Sequence, residues 1–335
     1  GHTNPTLPVV RELTCRGHQV RYYSFAPFRE KIQAAGAQFV PCDSYLPPAP
    51  PDLERRVGRD FAALVEMITQ TLLAMDGPVG RDLAQFQPHC VVSDSLCFWG
   101  KLWAAKLACP YVCSTTTFAF NRHTAKQTPG QFLRLLAGRG RIRRCMAQLC
   151  QAGYPVKGLL SLIENDGYTD TIVYTSREFQ PLADTFSSRY AFIGPSVPEL
   201  THAPRSGGDR QIYISLGTVN NRSRSFYRAC LEALRSWEGV RAVLSLGGGC
   251  RPEELGDVPP NVQVLPQVDQ LAVLSQSDAF LSHCGMNSVS ESLYLGVPLV
   301  LFPQQEEQGM VARRVQELGA GVPLPAPTPA AIHQA

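Results

Sequence analysis

Short apolar runs alternate with amphipathic stretches along most of the chain. This pattern predicts strands at 18–25, 38–41, 89–94, 111–114, 172–175, 191–193, 211–216, 242–246, 262–265, 279–282 and 297–302. Helical periodicity predicts helices at 5–16, 27–35, 60–86, 98–108, 223–237 and 270–276, and another that ends at 295. Because strands and helices alternate, we expect parallel sheets with helices on both faces.

Pro198, Pro204, Gly207 and Gly208 interrupt this alternation among polar residues, and they predict a linker at residues 199–210. It would separate an N-terminal domain, residues 1–198, from a C-terminal domain, residues 211–335. A chain of 335 residues with 44% hydrophobic and 18% charged residues is long enough for two globular cores.

Charge and cysteine content exclude some classes of protein. The net charge of +3 is too small to indicate a nucleic-acid partner, and no apolar run approaches the roughly 20 residues of a membrane span. Five arginines at 134, 139, 141, 143 and 144 favour a solvated helix face over a contact with a membrane or an acidic substrate. Eleven cysteines with no Cys-x-x-Cys pair indicate free thiols in a reducing compartment, so we expect a cytoplasmic protein.

Residues 282–291, Ser-His-Cys-Gly-Met-Asn-Ser-Val-Ser-Glu, are predicted to run from a strand through a tight turn into a helix. Gly285 permits a turn with positive φ, Asn287 and Ser288 are helix-capping residue types, and Glu291 completes a Ser-x-x-Glu capping box. The N–H groups of such a helix start bind anions, phosphate above all, and His283 can add a donor or a positive charge. A capped helix preceded by a core histidine explains the same residues equally well.

The polar run after the next predicted strand favours a binding site, because Glu307 and Gln308 would lie at the same sheet edge. From His283 to Gln308 the chain has a His-Cys-Gly-x-Asn-Ser-x-x-Glu-Ser pattern, a Gly-Val-Pro turn and an acidic-Gln pair. This run resembles the donor signature of family 1 glycosyltransferases, which include plant UDP-glycosyltransferases and bacterial macrolide glycosyltransferases. The resemblance implies the GT-B fold, two facing Rossmann-like domains with the active site in the cleft between them.

The start of the chain carries a second motif of this family. Gly1-His2-Thr3-Asn4-Pro5 resembles the family's catalytic loop, and Asp94, at the end of a predicted strand, stands where the family has an aspartate partner. The resemblance implies that His2 deprotonates an acceptor hydroxyl while Asp94 orients the imidazole. From the residues alone, His2 is a loop histidine and Asp94 caps the next helix.

Further donor-binding residues follow from the resemblance. Ser215, Gly217 and Thr218, in a Ser-Leu-Gly-Thr loop, would reach the diphosphate, although a simple strand-to-helix turn explains them too. The position of the family's base-stacking aromatic ring is Gln267 here, and its Pro-Gln pair is Asp269-Gln270. Gln267 could lie flat on the base or hydrogen-bond to it, and Val268 could offer backbone groups to its edge. The glycine run at 247–249 lacks the dinucleotide-binding spacing and is interpreted as a plain turn.

The expected function is therefore transfer of a hexose from a UDP-sugar to a hydroxyl of a small, largely apolar acceptor, with inversion. We expect no metal or other cofactor, because the chain has no Asp-x-Asp pair. Asn287 and Ser288 would support the phosphate, Glu291 the ribose, and Glu307 and Gln308 the sugar. The apolar residues of the amphipathic stretch 115–166 are interpreted mostly as core, whereas the resemblance implies that helices of this stretch wall the acceptor pocket. A lipid-sugar transferase, an epimerase or a non-catalytic sugar-nucleotide binder stays open.

The family has a central strand before this Gly-His and more helices at the end, so we expect a chain truncated at both ends.

Overall fold

A computed structural model describes residues 2–45, 60–125, 138–158, 162, 165, 168–197, 208–218 and 220–335. The chain separates into two compact units, Gly1–Ser196 and Val197–Ala335. Most of the predicted linker, and much of the predicted acceptor wall, lies outside the described residues.

The first unit contains two parallel sheets. Strands β1 and β2 form one sheet, and β3 to β6 form the other in the order β3-β4-β5-β6. The strands are β1 (Arg21–Ser24), β2 (Gln38–Pro41), β3 (Val91–Asp94), β4 (Tyr111–Thr115), β5 (Asp170–Val173) and β6 (Tyr190–Phe192). The helices are α1 (Leu7–Cys15), α2 (Arg29–Ala34), α3 (Phe61–Phe86), α4 (Phe98–Lys106), α5 (Arg122–Ala125) and α6 (Arg139–Gln151).

The predicted elements of this unit are present, with shifted ends. A short 3-10 turn, Asn4–Thr6, precedes α1, so the first α-helix begins two residues later than predicted. The long helix α3 begins after Asp60, whose side chain accepts the Ala62 N–H. On α6, Arg143 and Arg144 are exposed as expected, whereas Arg141 pairs with Asp60 and with Glu66 on α3. That arginine therefore ties two helices together.

The second unit is built on a six-stranded, all-parallel sheet in the order β12-β11-β10-β7-β8-β9. Its strands are β7 (Arg210–Ser215), β8 (Val240–Ser245), β9 (Val262–Leu265), β10 (Ala279–Ser282), β11 (Leu299–Leu301) and β12 (Gly321–Pro323). Its helices are α7 (Arg224–Leu234), α8 (Gln270–Leu274), α9 (Met286–Tyr294), α10 (Glu306–Glu317) and α11 (Pro329–Gln334).

The order of this sheet reverses at β7, whose neighbours are β8 on one side and β10 on the other. At such a switch point the loops after the two neighbouring strands diverge and leave a crevice at the carboxyl ends, which is where open α/β sheets bind ligands. Beneath it, Ile214, Leu244 and Leu281 belong to a buried apolar core with Phe226 and Tyr227 of α7. The core thus fixes the strands whose ends carry the polar residues.

The eleven cysteines are free thiols, and five of them are buried. Among the residues described here, no helix combines the length and the apolar character needed to cross a membrane.

Candidate active site

In the first unit the structure brings His2, Asp94 and one further side chain together. Nδ1 of His2 lies 2.8 Å from Oδ2 of Asp94. The His2 side chain is 44% exposed and that of Asp94 only 13%. An accessible imidazole is thus held by a shielded carboxylate, an arrangement that gives Nδ1 the proton and leaves Nε2 as the nitrogen that would accept one.

Asp94 is fixed by the end of its own strand. It is the last residue of β3, and its other carboxylate oxygen, Oδ1, accepts the Leu96 N–H at 2.9 Å. The interpretation of Asp94 as the cap of the next helix is wrong, because the N-cap of α4 is Cys97 and Oδ1 of Asp94 instead holds the turn at Leu96. The other oxygen, Oδ2, faces His2.

Thr116 completes the group, and the sequence analysis missed it. Its hydroxyl donates to Oδ2 of Asp94 at 3.1 Å, and its oxygen lies 2.7 Å from Nδ1 of His2. Thr116 is 4% exposed and directly follows β4, the neighbour of β3 in the sheet. A polar residue directly after a predicted strand was the available signal, but residues 115–117 are all threonine and the sequence does not distinguish them.

In the second unit, Ser215, Gly217, His283 and Gly285 lie together at the switch point. The His283 N–H meets the Ser215 carbonyl at 3.3 Å, and the Ser215 hydroxyl accepts the Gly217 N–H at 3.1 Å. A Cβ added to Gly217 would lie 2.7 Å from Nε2 of His283, and one added to Gly285 would lie 2.6 Å from the same nitrogen. The imidazole is therefore enclosed between two bare stretches of backbone. Thr218, next in the loop, is exposed.

Enclosure also sets the charge of His283. Burial lowers its pKa to about 4, and the Ser215 backbone opposes the shift only in part. Nδ1 is buried and has no partner that meets hydrogen-bond geometry among the described residues. At neutral pH the ring is therefore uncharged, which does not fit the positive charge expected for His283, and its role as a hydrogen-bond donor stays a prediction.

The turn after β10 differs from the expected one. Cys284, not Gly285, has the positive φ, +64°, while Gly285 is extended with φ −64° and ψ 140°. Helix α9 begins at Met286 with Gly285 as its N-cap, so Asn287 and Ser288 lie inside the first turn and the Ser288–Glu291 capping box is wrong. The chain reversal comes one residue early, and Gly285 is needed because the His283 ring leaves no room for a side chain.

Gln270, Ser288 and Glu291 form a second polar group nearby in sequence and structure. Nε2 of Gln270 donates to Oε2 of Glu291 at 2.5 Å and to the Ser288 hydroxyl at 3.2 Å. Burial raises the pKa of Glu291, although the bond from Gln270 acts in the opposite direction. The carboxylate that the sequence assigned to capping is thus oriented by Gln270.

The remaining predicted donor residues follow other strands. Gln267 is exposed and Val268 half-buried in the turn between β9 and α8. Glu307 lies in the first turn of α10, after β11. Gln308 caps that helix, because its side-chain amide oxygen, Oε1, accepts hydrogen bonds from the backbone N–H groups of Gln304 at 2.8 Å and Gln305 at 3.2 Å. Its Nε2 is the group left to contact a sugar, and the roles of these four residues stay predictions.

Comparison with known proteins identifies the class. Residues 241–335 match the family model described as Erythromycin biosynthesis protein CIII-like, C-terminal domain. The crystal structure of the glycotransferase of kitacinnamycin superposes with a TM-score of 0.82 at 27% identity, over 99% of this chain and 85% of that one. With its two units of parallel sheets, the chain is a glycosyltransferase of the GT-B fold.

Sequence relatives narrow the class further. The chain is 32% identical to the uncharacterized UDP-glucosyltransferase YojK of Bacillus subtilis, over 96% of this chain and 82% of that protein. It is 30% identical to the demethyllactenocin mycarosyltransferase of Streptomyces fradiae, over 96% of this chain and 72% of that protein. The chain belongs to family 1 of the glycosyltransferases and is of the macrolide glycosyltransferase type.

Proposed function

We propose that this glycosyltransferase moves a hexose from a UDP-sugar to a hydroxyl of a small, largely apolar acceptor such as a macrolide or a phenol, with inversion at the anomeric carbon. The observation that carries the proposal is the contact of 2.8 Å between His2 and Asp94 at the end of β3. The relatives named as a UDP-glucosyltransferase and a macrolide mycarosyltransferase support the choice of donor and acceptor.

In the proposed reaction Nε2 of His2 takes the acceptor hydroxyl proton as the oxygen attacks. The new bond joins that oxygen to the anomeric carbon, and the bond to the diphosphate breaks with its electron pair leaving on phosphate. Asp94 stabilises the imidazolium that forms, and Thr116 holds the carboxylate in place. Attack from the face opposite the leaving group inverts the configuration.

On the donor side, neutral His283 donates a hydrogen bond to phosphate, and the N–H groups at the start of α9, near Asn287 and Ser288, face the same charge. Ser215, Gly217 and Thr218 contribute the loop beside it. Gln270 and Glu291 hold the ribose, Gln267 and Val268 contact the base, and Glu307 and Gln308 bind the sugar. No group of three or more His, Cys, Asp or Glu side chains suited to a metal ion occurs in the described part of the chain. We propose transfer without a metal, with the hydrogen-bond donors named above offsetting the charge on the diphosphate.

The test is a transfer assay with UDP-glucose or dTDP-glucose, a macrolide or flavonol acceptor, and excess EDTA. Mass spectrometry would detect the glycoside, and NMR would give its anomeric configuration. We expect a β-glycoside from the α-linked UDP donor, formed at the same rate with EDTA. Donor hydrolysis without glycoside would contradict the proposed acceptor, an α-glycoside would contradict inversion, and loss of activity in EDTA would contradict metal independence.

A further inference from the structure

Asn221 ties together two loops at the carboxyl edge of the second unit's sheet. Its side chain is 3% exposed, and Nδ2 donates to the carbonyl of Gly217 at 3.0 Å and to that of Gly247 at 2.8 Å. Gly217 follows β7 and Gly247 follows β8, the adjacent strand. One amide group therefore uses both of its N–H donors to hold two separate loops.

The glycine run after β8 is shaped around this amide. A Cβ on Gly249 would lie 2.1 Å from Oδ1 of Asn221, and one on Gly247 would lie 2.4 Å from Nδ2 and 2.0 Å from the Gly217 carbonyl oxygen. Gly248, between them, has nothing within 4 Å of such an atom. The run that the sequence predicted to be a plain turn is therefore a surface on which the Asn221 side chain rests.

Gly217, whose carbonyl accepts the hydrogen bond from Asn221, also lies against the His283 ring. Gly217 has φ +75°, and its Cα faces the imidazole so closely that a Cβ would touch both Cε1 and Nε2 at 2.7 Å. The position of this turn thus depends on the Ser215 hydroxyl on one side and on Asn221 on the other. A displacement of Gly217 would open the enclosure that orients the ring.

We propose that Asn221 is a positioning residue for the donor site, which holds the Gly217 turn against His283 and so fixes the nitrogen that faces the donor's diphosphate. The role in donor binding rests on the function proposed above. Asparagine suits the position because it is neutral and offers two donors to two carbonyl oxygens. A carboxylate there would repel both oxygens, and a methyl group would leave both carbonyls without this donor.

The chain offers a matched control. Nδ2 of Asn261 donates to the carbonyls of Leu234, Trp237 and Val240 at 3.0, 3.3 and 3.1 Å. Asn261 directly precedes β9, and so lies at the amino edge of the same sheet, away from the donor loops. Asn221→Asp and Asn261→Asp therefore remove the same kind of side-chain N–H donor from opposite edges of the sheet.

The experiment compares three properties of these two variants: the unfolding midpoint, the Kd for UDP by calorimetry, and the imidazole NMR signals of His283. Both variants should be less stable. Only Asn221→Asp should shift the His283 signals and raise the Kd for UDP and the KM for UDP-glucose by on the order of 10 to 100-fold, with a smaller change in kcat. Unchanged His283 signals in Asn221→Asp, or equal changes in Asn261→Asp, would overturn the proposal.

Two further variants keep the test decisive if Asn221→Asp does not fold. Gly249→Ala would displace Asn221 without changing its chemistry, whereas Gly248→Ala, with φ +80°, adds backbone strain but no contact. Gly249→Ala alone should shift the His283 signals and weaken UDP binding. If the wild-type chain binds no UDP, the proposed function fails, and the NMR comparison still decides whether Asn221 positions the ring.

Discussion

His2 and His283 are the two histidines that the proposed reaction uses, and their surroundings differ in almost every respect. The His2 side chain is 44% exposed and has a carboxylate 2.8 Å from Nδ1. The His283 ring is enclosed by Gly217 and Gly285 and has a pKa of about 4. A group that must gain a proton needs access and a counter-charge, whereas a group that must stay neutral beside a phosphate needs burial.

The largest effect is expected for His2→Ala. Loss of a general base should lower kcat for transfer to a hydroxyl by roughly 10² to 10⁴-fold. Calorimetry with UDP should give nearly the wild-type Kd, because His2 acts on the acceptor. A variant that keeps most of its rate with an oxygen acceptor would remove His2 from the base role.

Gly217→Ala should weaken donor binding. The added methyl would lie 2.7 Å from the His283 ring, and overpacking of this kind costs about 1 to 3 kcal/mol of folding stability. Because the ring is displaced, the Kd for UDP should rise on the order of 10-fold, which corresponds to about 1.4 kcal/mol. Gly239→Ala is the control, because Gly239 also has a positive φ, +67°, but an open environment. Equal effects of the two substitutions on UDP binding would show that backbone strain, not contact with His283, is responsible.

The depressed pKa of His283 predicts a dependence of stability on pH. As pH falls below about 6.5, the His283 imidazole becomes protonated in the unfolded chain, whereas in the folded unit it stays neutral down to about pH 4. Protonation therefore stabilises the unfolded chain, and the free energy of unfolding should fall. Between pH 7 and pH 5 the loss should be about 2 kcal/mol larger in the wild type than in His283→Gln. Urea titrations of both proteins would measure it, and the subtraction removes the other titrating groups. Parallel pH profiles would contradict a neutral, buried His283.

The smallest effect is expected for Thr116→Val. The substitution removes one of several hydrogen bonds to the Asp94 carboxylate, which His2 and the Leu96 N–H also hold, so kcat should fall only roughly 2 to 10-fold, with little change in stability. Thr115→Val is the matched control, because among the described residues its hydroxyl contacts only the Cys113 thiol, at 3.6 Å. If both variants lose the same activity, the contact of Thr116 with Asp94 has no separate role.

The sequence predicts much of the fold because its strands are short apolar runs with helical stretches between them. The pairing of His2 with Asp94 was predicted through the resemblance to the family, since the residues alone suggest a loop histidine and a helix cap. Thr116 was not accessible, because three successive threonines leave the register of β4 undetermined. The turn at Cys284 and Gly285 was misassigned because a sequence shows that glycine is needed but not whether its φ or its missing side chain is the reason.

Cys284 illustrates a practical consequence of the left-handed turn after β10. Its thiol lies in the middle of the donor motif, yet the side chain is completely buried and burial raises its pKa to about 12. Alkylating reagents react with the thiolate form, so this buried cysteine is a poor target. Cys15, Cys90 and Cys150, by contrast, are exposed. A fluorescent or spin label carried by a maleimide would therefore attach to the outside of the protein and leave the donor loop unmodified.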